Sequence, residues 1–225
     1  MTETSCSVPA NRLQLVMPDG STASGHKVLV HACCAPCSSA IIECMLYNGM
    51  LPTVYFCNPN IFPFEEYQVR KEELKRFLKA NSIPFSEDTY DHEAWLNDIH
   101  GWEKEPERGK RCLQCFLFRL KRTAAFASAN GFQWFTTTLS SSRWKDMAQI
   151  SEAGRRAASA FQGISFWEHN WRKGGLQQRR AELLREYQFY NQLYCGCEFS
   201  QASMSHKQNQ QQCTNSFHLS FNAFY

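Results

Sequence analysis

Cysteine placement constrains this 225-residue chain more than any other feature. Seven of its eleven cysteines fall into three tight groups, Cys33-Cys34-x-x-Cys37, Cys112-x-x-Cys115 and Cys195-Gly196-Cys197, set far apart along the sequence. An odd cysteine count and such close spacing favour metal or catalytic thiolates over a disulfide framework. A zinc ion or an iron-sulfur cubane takes at most about four protein ligands. If the three groups converge, about three thiols remain for a second metal or for redox chemistry. The fold must therefore bring distant segments to one place, and the surplus of thiols points to an enzyme.

The length suits one domain with a core that needs no metal or disulfide to stand. The sequence carries no signal-peptide pattern and no apolar run long enough to span a bilayer, so a cytoplasmic protein without membrane contact is expected. Net charge is only +3, yet the basic residues cluster, as in Lys110-Arg111, Arg143 with Lys145, and Arg172-Lys173. Such clusters suit a phosphate-rich partner, although solvated helix faces have the same pattern.

Residues 1–25 lack sustained periodicity and read as a flexible leader; residues 201–225, rich in Gln, Ser and Asn, read as a loose tail. The working domain is expected over 26–200. In it, His26 to His31 forms a buried strand running into Cys33, and a helix begins at Ser38 or Ser39 and stops at Gly49. A second strand spans Thr53 to Cys57, a charged amphipathic helix Phe64 to Ala80, and a third strand begins at Ile83. A short helix and a polar loop, 103–110, deliver Cys112. Then come a helix to Asn130, a strand from Phe132 to Thr138, a helix from Lys145 to Ala160 and a last helix from Gly175 to Tyr190. This alternation predicts an α/β fold, a mostly parallel sheet with helices on both faces. Ligands of such sheets sit beyond the carboxyl ends of the strands. The first cysteine group lies at one such end, and Thr136, Thr137, Thr138 and Ser140 lie at another.

Cys112 and Cys115 at a helix start can project toward one ion, where the helix N-terminus favours thiolate. The glycine of Cys195-Gly196-Cys197 permits a turn sharp enough for both sulfurs to reach one site. Cys33 and Cys34, being adjacent, diverge and suit two neighbouring sites. Four of the seven thiolates are thus expected on a 4Fe-4S cluster and the rest, with a carboxylate or water, on a second metal. A single four-cysteine zinc site with three idle thiols is the alternative. Cys44 and Cys57 read as small core residues, and Cys6 and Cys213 lie in the tails. Glu103, Glu105 and Glu107 are candidate proton donors, or merely solvated. Asp91 and Asp146 are candidate ligands, with helix capping the simpler role. His31 reads as a hydrogen-bonded core residue more readily than as a ligand. Trp144, Trp167 and Trp171 stand beside basic residues, a pattern suited to base stacking and equally to core packing.

Four blocks together resemble one family. They are His31-Ala32-Cys33-Cys34-Ala35-Pro36-Cys37, the run from Glu105 to Phe116, Phe135-Thr136-Thr137-Thr138-Leu139-Ser140, and Tyr194-Cys195-Gly196-Cys197-Glu198-Phe199-Ser200. In this order they resemble the QueH-type epoxyqueuosine reductases over roughly residues 26–200. The resemblance implies a Rossmann-like fold of the adenine nucleotide alpha hydrolase-like (HUP) type. It also implies the last step of queuosine synthesis, deoxygenation of epoxyqueuosine at the wobble position of a tRNA, without cobalamin. It implies a 4Fe-4S cluster beside a mononuclear iron, a site that zinc could fill in isolated protein, and an external ferredoxin- or flavodoxin-like electron donor. On this reading Cys33, Cys34, Cys112, Cys115, Cys195 and Cys197 bind the metal centres, and Cys37 belongs to the single metal, with Cys33 and Cys37 at the reacting centre. Proton donors are sought among Glu105, Glu107 and Tyr194. Substrate contacts are sought among Lys110, Arg111, Thr136, Thr137, Thr138, Ser140, Arg143, Lys145 and Trp171. A monomer is expected, since tRNA needs an open face. Two rivals are a zinc-bearing RNA-binding module and an iron-sulfur tRNA sulfur-transfer enzyme of the same fold. The second needs ATP, and cysteines stand here where that fold carries its glycine-rich phosphate loop.

Overall fold

The computed structural model describes residues 13–204. The first strand, β1 (Lys27–His31), is buried at every position after Lys27, as a valine- and leucine-rich strand covered on both faces should be. It pairs in parallel with β2 (Leu51–Phe56) on one side and β4 (Trp134–Thr137) on the other. The strands β3 (Phe85–Glu87) and β5 (Ser165–Phe166) complete a five-stranded sheet of order β3-β2-β1-β4-β5, every pairing parallel. The helices α1 (Ala35–Tyr47), α2 (Phe64–Ala80), α3 (His92–Asp98), α4 (Lys110–Ala129), α5 (Met147–Ala158) and α6 (Leu176–Glu186) are set among the strands. Val28 and Val30 pack with Ile41, Leu74 and Leu183 on one face, while Leu29 packs with Leu120, Ala124 and Ile150 on the other. The α/β, Rossmann-like architecture is the one expected from the alternation of elements.

Strand order positions the site. The chain builds outward from β1 through β2 to β3, then returns to lay β4 on the other side of β1. The carboxyl ends of β1 and β4, where His31 lies opposite Thr137, are thus the point at which the sheet's winding reverses and a crevice opens. Among the described residues no helix is long and apolar enough to cross a membrane.

Several boundaries depart from expectation. The helix α1 begins at Ala35, three residues before the serines, because Pro36 is preset for the first turn and Cys34 takes the capping position. Cys37 therefore sits in that first turn. Ser38 is buried in the helix, its hydroxyl donating back to the Cys34 carbonyl at 2.7 Å. The two-residue β5 is too short to carry a periodic signal. Residues 13–25, read as part of a flexible leader, are docked: Leu15, Met17 and Ala23 are buried, and Val16 bridges Thr22. At the other end, residues 201–204 of the expected loose tail continue a helical turn that begins at 198, while Cys6, Cys213 and the remainder of the tails lie outside the described residues. Asp91 and Asp146 are caps, accepting the backbone N–H of Ala94 and Gln149 at 2.9 and 3.1 Å.

His31 is a core histidine. Its Nε2–H donates to the Cys57 carbonyl at 3.1 Å and its Nδ1 accepts from the Thr137 hydroxyl at 2.8 Å, while Thr137 accepts from Leu139 N–H at 3.2 Å. Burial, with help from the Arg119 charge, pushes its pKa down to about 3. The unfolded chain takes up this proton below about pH 6.5, whereas the folded chain resists it until far lower pH. Stability is therefore fully present above pH 6.5 and lost as pH falls. Chemical denaturation at pH 7 and pH 5 should show a loss of about 2 kcal/mol that disappears in His31→Gln. Gly154 offers a packing test: a Cβ there would lie 2.3 Å from the Phe166 ring. Gly154→Ala should push α5 off β5 and cost about 2 kcal/mol in the same assay.

Candidate metal centre

The cysteines reach the winding reversal by three routes. Cys33, Cys34 and Cys37 arrive directly from the end of β1 and the first turn of α1. Their sulfurs all lie within 4.8 Å of one another, and Cys33 and Cys34, expected to diverge toward two sites, converge with their sulfurs 3.7 Å apart because the extended backbone at Cys34 turns directly into α1. Cys112 and Cys115 stand on the first turns of α4, which Gly109 caps. A Cβ at Gly109 would fall 2.5 Å from Glu105 Oε2, so glycine there admits the carboxylate that accepts the Lys110 N–H at 3.1 Å. Cys195 and Cys197 flank Gly196, whose φ of +135° lies where side chains are strained. Buried Arg70 fixes that turn, donating to the carbonyls of Cys195 and Tyr194 at 3.1 and 3.2 Å. Phe62 N–H donates to the Gly196 carbonyl at 2.8 Å.

One cavity of about 910 Å³, lined among others by Cys33, Cys37, Cys112, Cys195 and Cys197, joins this triad to a second, looser group of Cys112, Cys115, Cys195 and Cys197; among the described residues only the triad has its sulfurs close enough to share one ion. In the first group the Cys34 and Cys37 thiols donate toward Cys33, which holds Cys33 well below the ordinary thiol range. Burial raises Cys34, and the bond to Cys33 pushes Cys37 up to about 11. In the second group burial pushes Cys112 and Cys115 up to about 11 and Cys197 to about 12, each also feeling the charge of Cys195. Without a cation these sulfurs stay largely protonated; a metal would displace the protons.

The surroundings fit such a cation. N–H groups are aimed at sulfur: Gln192 Nε2 at 2.9 Å from Cys34 Sγ and the Arg108 backbone at 3.3 Å from Cys112 Sγ. The buried indole N–H of Trp95 has no oxygen acceptor and lies against Cys115. Donors to sulfur stabilise thiolate and recur around metal-bound cysteine. Positive charge adds to this, buried at Arg119 and half-buried at Lys145. Arg119, 2% exposed, has no carboxylate partner among the described residues and donates to Asn58 Oδ1 and the Cys57 carbonyl, its charge felt at Cys33 and Cys115. Lys145 is opposed by burial, but Cys195, Cys33 and Cys37 outweigh that cost and raise its pKa. A buried cation beside sulfur and away from carboxylates is costly unless the sulfur is anionic.

Other expected residues divide. Glu107, Arg111, Arg143, Lys145 and Tyr194 line the cavity. Glu105 faces the α4 N-terminus, and Lys110 Nζ lies over the Trp102 ring at 4.8 Å. Arg111 is buried, donating to the Glu103 and Glu105 carbonyls with its guanidinium over Phe199. The structure does not bring Thr136, Thr137, Thr138, Ser140 or Trp171 to the cavity wall. Thr136 donates to the Trp167 carbonyl and accepts from the Trp171 indole, Thr138 accepts from Ser38, and Ser140 donates to the His169 carbonyl. Trp171 is fully buried against Trp167 and His169. These groups hold the end of β4 and the 3-10 turn Thr138–Ser141. Trp144, by contrast, is 70% exposed at the cavity mouth, with Arg143 over its ring at 4.9 Å. Cys44 and Cys57 are buried as core residues.

Sequence reasoning passed over Arg70, Arg108, Arg119 and Gln192. Two of them carried a signal: Arg119 lies four residues after Cys115, on the same helix face, and Gln192 lies three before Cys195.

The family model "Epoxyqueuosine reductase QueH" matches residues 28–203. A Haemophilus influenzae protein named epoxyqueuosine reductase QueH is 46% identical over 192 residues, 85% of this chain and 77% of its own length. The Acinetobacter baylyi protein of that name is 45% identical over 189 residues, 84% of this chain and 85% of its own length. The one from Thermotoga maritima is 34% identical over 176 residues, 77% of this chain and 89% of its own length. The matched span carries all three thiol groups and the helices and strand ends that gather them, and on that ground the chain belongs to the QueH family.

Proposed function

We propose that this chain reduces epoxyqueuosine to queuosine at the wobble position of a tRNA anticodon. The family supplies the reaction, and the observation that carries it for this chain is the meeting of two thiol groups and cations on one open cavity. Cys112, Cys115, Cys195 and Cys197 would hold a 4Fe-4S cluster, while Cys33, Cys34 and Cys37, three ligands, would hold a single iron with a position left open. Once bound, the metals supply electrons one at a time and a Lewis acid for the epoxide oxygen. In the overall change both carbon–oxygen bonds of the epoxide break and a carbon–carbon double bond forms. The oxygen leaves as water, consuming two electrons and two protons. A ferredoxin- or flavodoxin-like donor would deliver the electrons.

The chain's own groups bind substrate and supply a proton. Arg108, Arg143 and Lys145 make the mouth positive, suited to the phosphates of an anticodon loop, and exposed Trp144 offers a face for base stacking. Among the three proton-donor candidates Glu107 is best placed, being exposed on the cavity wall. The Tyr194 hydroxyl is committed to the Phe62 carbonyl at 2.6 Å, and burial pushes its pKa up to about 12. Glu105 is committed to the α4 N-terminus.

Metal and sulfide content of anaerobically prepared protein tests the reading. More than about four irons with about four sulfides per chain are expected, and a colourless zinc protein would sink it. Cys115→Ser should lose most of the sulfide, whereas Cys37→Ser should keep the sulfide and lose about one iron. In a tRNA reduction assay Glu107→Gln should lower kcat about 100-fold with KM little changed. Glu105→Gln should leave kcat near wild type and cost about 1 kcal/mol of stability, the scale of a lost charge at a helix N-terminus.

A further inference from the structure

Gln192, three residues before Cys195, reaches from that segment to the first thiol group. Its Nε2 stands 2.9 Å from Cys34 Sγ and 3.8 Å from Cys37 Sγ. The other end of the same amide, Oε1, is buried with no hydrogen-bond partner, and the residue lines the cavity. A buried amide oxygen left unpaired costs stability comparable to a lost hydrogen bond, so its persistence calls for a partner that arrives from outside. The amide's orientation follows from the sulfurs. With a metal bound these sulfurs would be thiolates, which accept and do not donate, so the N–H end would face them and the oxygen would face away.

We propose that Gln192 is a two-ended positioning residue: its Nε2 donates to the sulfurs of Cys34 and Cys37, while its Oε1 accepts from an O–H or N–H donor of the modified nucleoside. The inference rests on the functional reading above and adds to it a residue that both tunes the single-metal site and registers substrate against it. Because one rigid amide makes both contacts, the distance between the sulfurs and the bound nucleoside is set by a single side chain. A hydrogen bond to a ligating sulfur withdraws electron density from it and alters the metal's electronic properties, so loss of the bond should be visible without turnover.

Two variants separate the two ends. Gln192→Leu removes both polar contacts at similar size; Gln192→Glu keeps an acceptor and loses the N–H donor. Wild type and variants are loaded with Co(II), and the sulfur-to-cobalt charge-transfer band is recorded; KM for the tRNA substrate is measured on iron-loaded protein. Both variants should shift the band to longer wavelength, since the sulfurs become better electron donors. Gln192→Leu should raise KM about tenfold, the scale of one lost hydrogen bond, and Gln192→Glu, which keeps an acceptor, should raise it less. An unchanged band in folded, cobalt-loaded Gln192→Leu overturns the sulfur contact, and an unchanged KM in that variant overturns the substrate contact. A wild-type chain that takes up no cobalt overturns the metal reading itself, and this inference with it. Cobalt uptake with no reduction of the tRNA overturns the proposed reaction, and with it the substrate half.

Discussion

Buried sulfur charge is the constraint to which the remainder of the structure answers. Five thiols, those of Cys33, Cys37, Cys112, Cys195 and Cys197, line one cavity with Cys34 and Cys115 buried close by, and burial holds Cys34, Cys112, Cys115 and Cys197 on the protonated side. Cations must be present for the group to ionise. The chain supplies Arg119 and Lys145 against the sulfurs and Arg70 behind the Cys195 turn, together with N–H donors from Gln192 and Arg108. These groups make poor structural sense around neutral thiols. Around thiolates that ligate metal they offset the excess negative charge of the centre and fix each sulfur's direction. Packing and electrostatics thus agree on one purpose for the cavity.

The sheet makes this convergence inexpensive. A parallel strand buried on both faces ends where no further hydrogen bonds are required of the chain, and the helix that follows must start there. The β1-to-α1 junction delivers Cys33, Cys34 and Cys37 in five residues. Strand order then places the loop after β4, with Arg143 and Lys145, beside them, while the long connection out of β3 sets the α4 N-terminus and its two cysteines on the same rim. Only the Cys195–Cys197 turn comes from outside this logic. It is held by specific bonds, from Arg70 and Phe62, in place of strand topology.

Much of this is legible in the chain. The bounds of α2 follow from its amphipathic pattern, the caps at Asp91 and Asp146 from their chemistry, and the core roles of His31, Cys44 and Cys57 from their apolar neighbours. Less legible are features that depend on contact across the fold. Thr136, Thr137, Thr138 and Ser140 stand at a strand end, where ligands commonly bind, yet neighbours far along the chain, including His31, Ser38 and His169, take up their hydroxyls. The indole of Trp171 is buried while that of Trp144, with similar basic neighbours, is exposed; local sequence treats the two alike. The residues of the supposed leader dock because Leu15 and Met17 find a core that lies elsewhere in the chain.

By itself the sequence determined the class of fold, through the spacing of its apolar segments, and the class of chemistry, through thiols too numerous for one metal. Both are properties of local pattern and composition, which survive without knowledge of contacts. The convergence of the Cys33, Cys34 and Cys37 sulfurs, the commitment of Glu105 to the α4 N-terminus and of the Tyr194 hydroxyl to the Phe62 carbonyl, and the placement of Gln192 Nε2 against the Cys34 sulfur were decided only in three dimensions. Each depends on which group lies within hydrogen-bonding or Coulombic reach of which, and the Tyr194 and Gln192 contacts join residues that are on the order of a hundred positions apart, beyond the reach of any local periodicity.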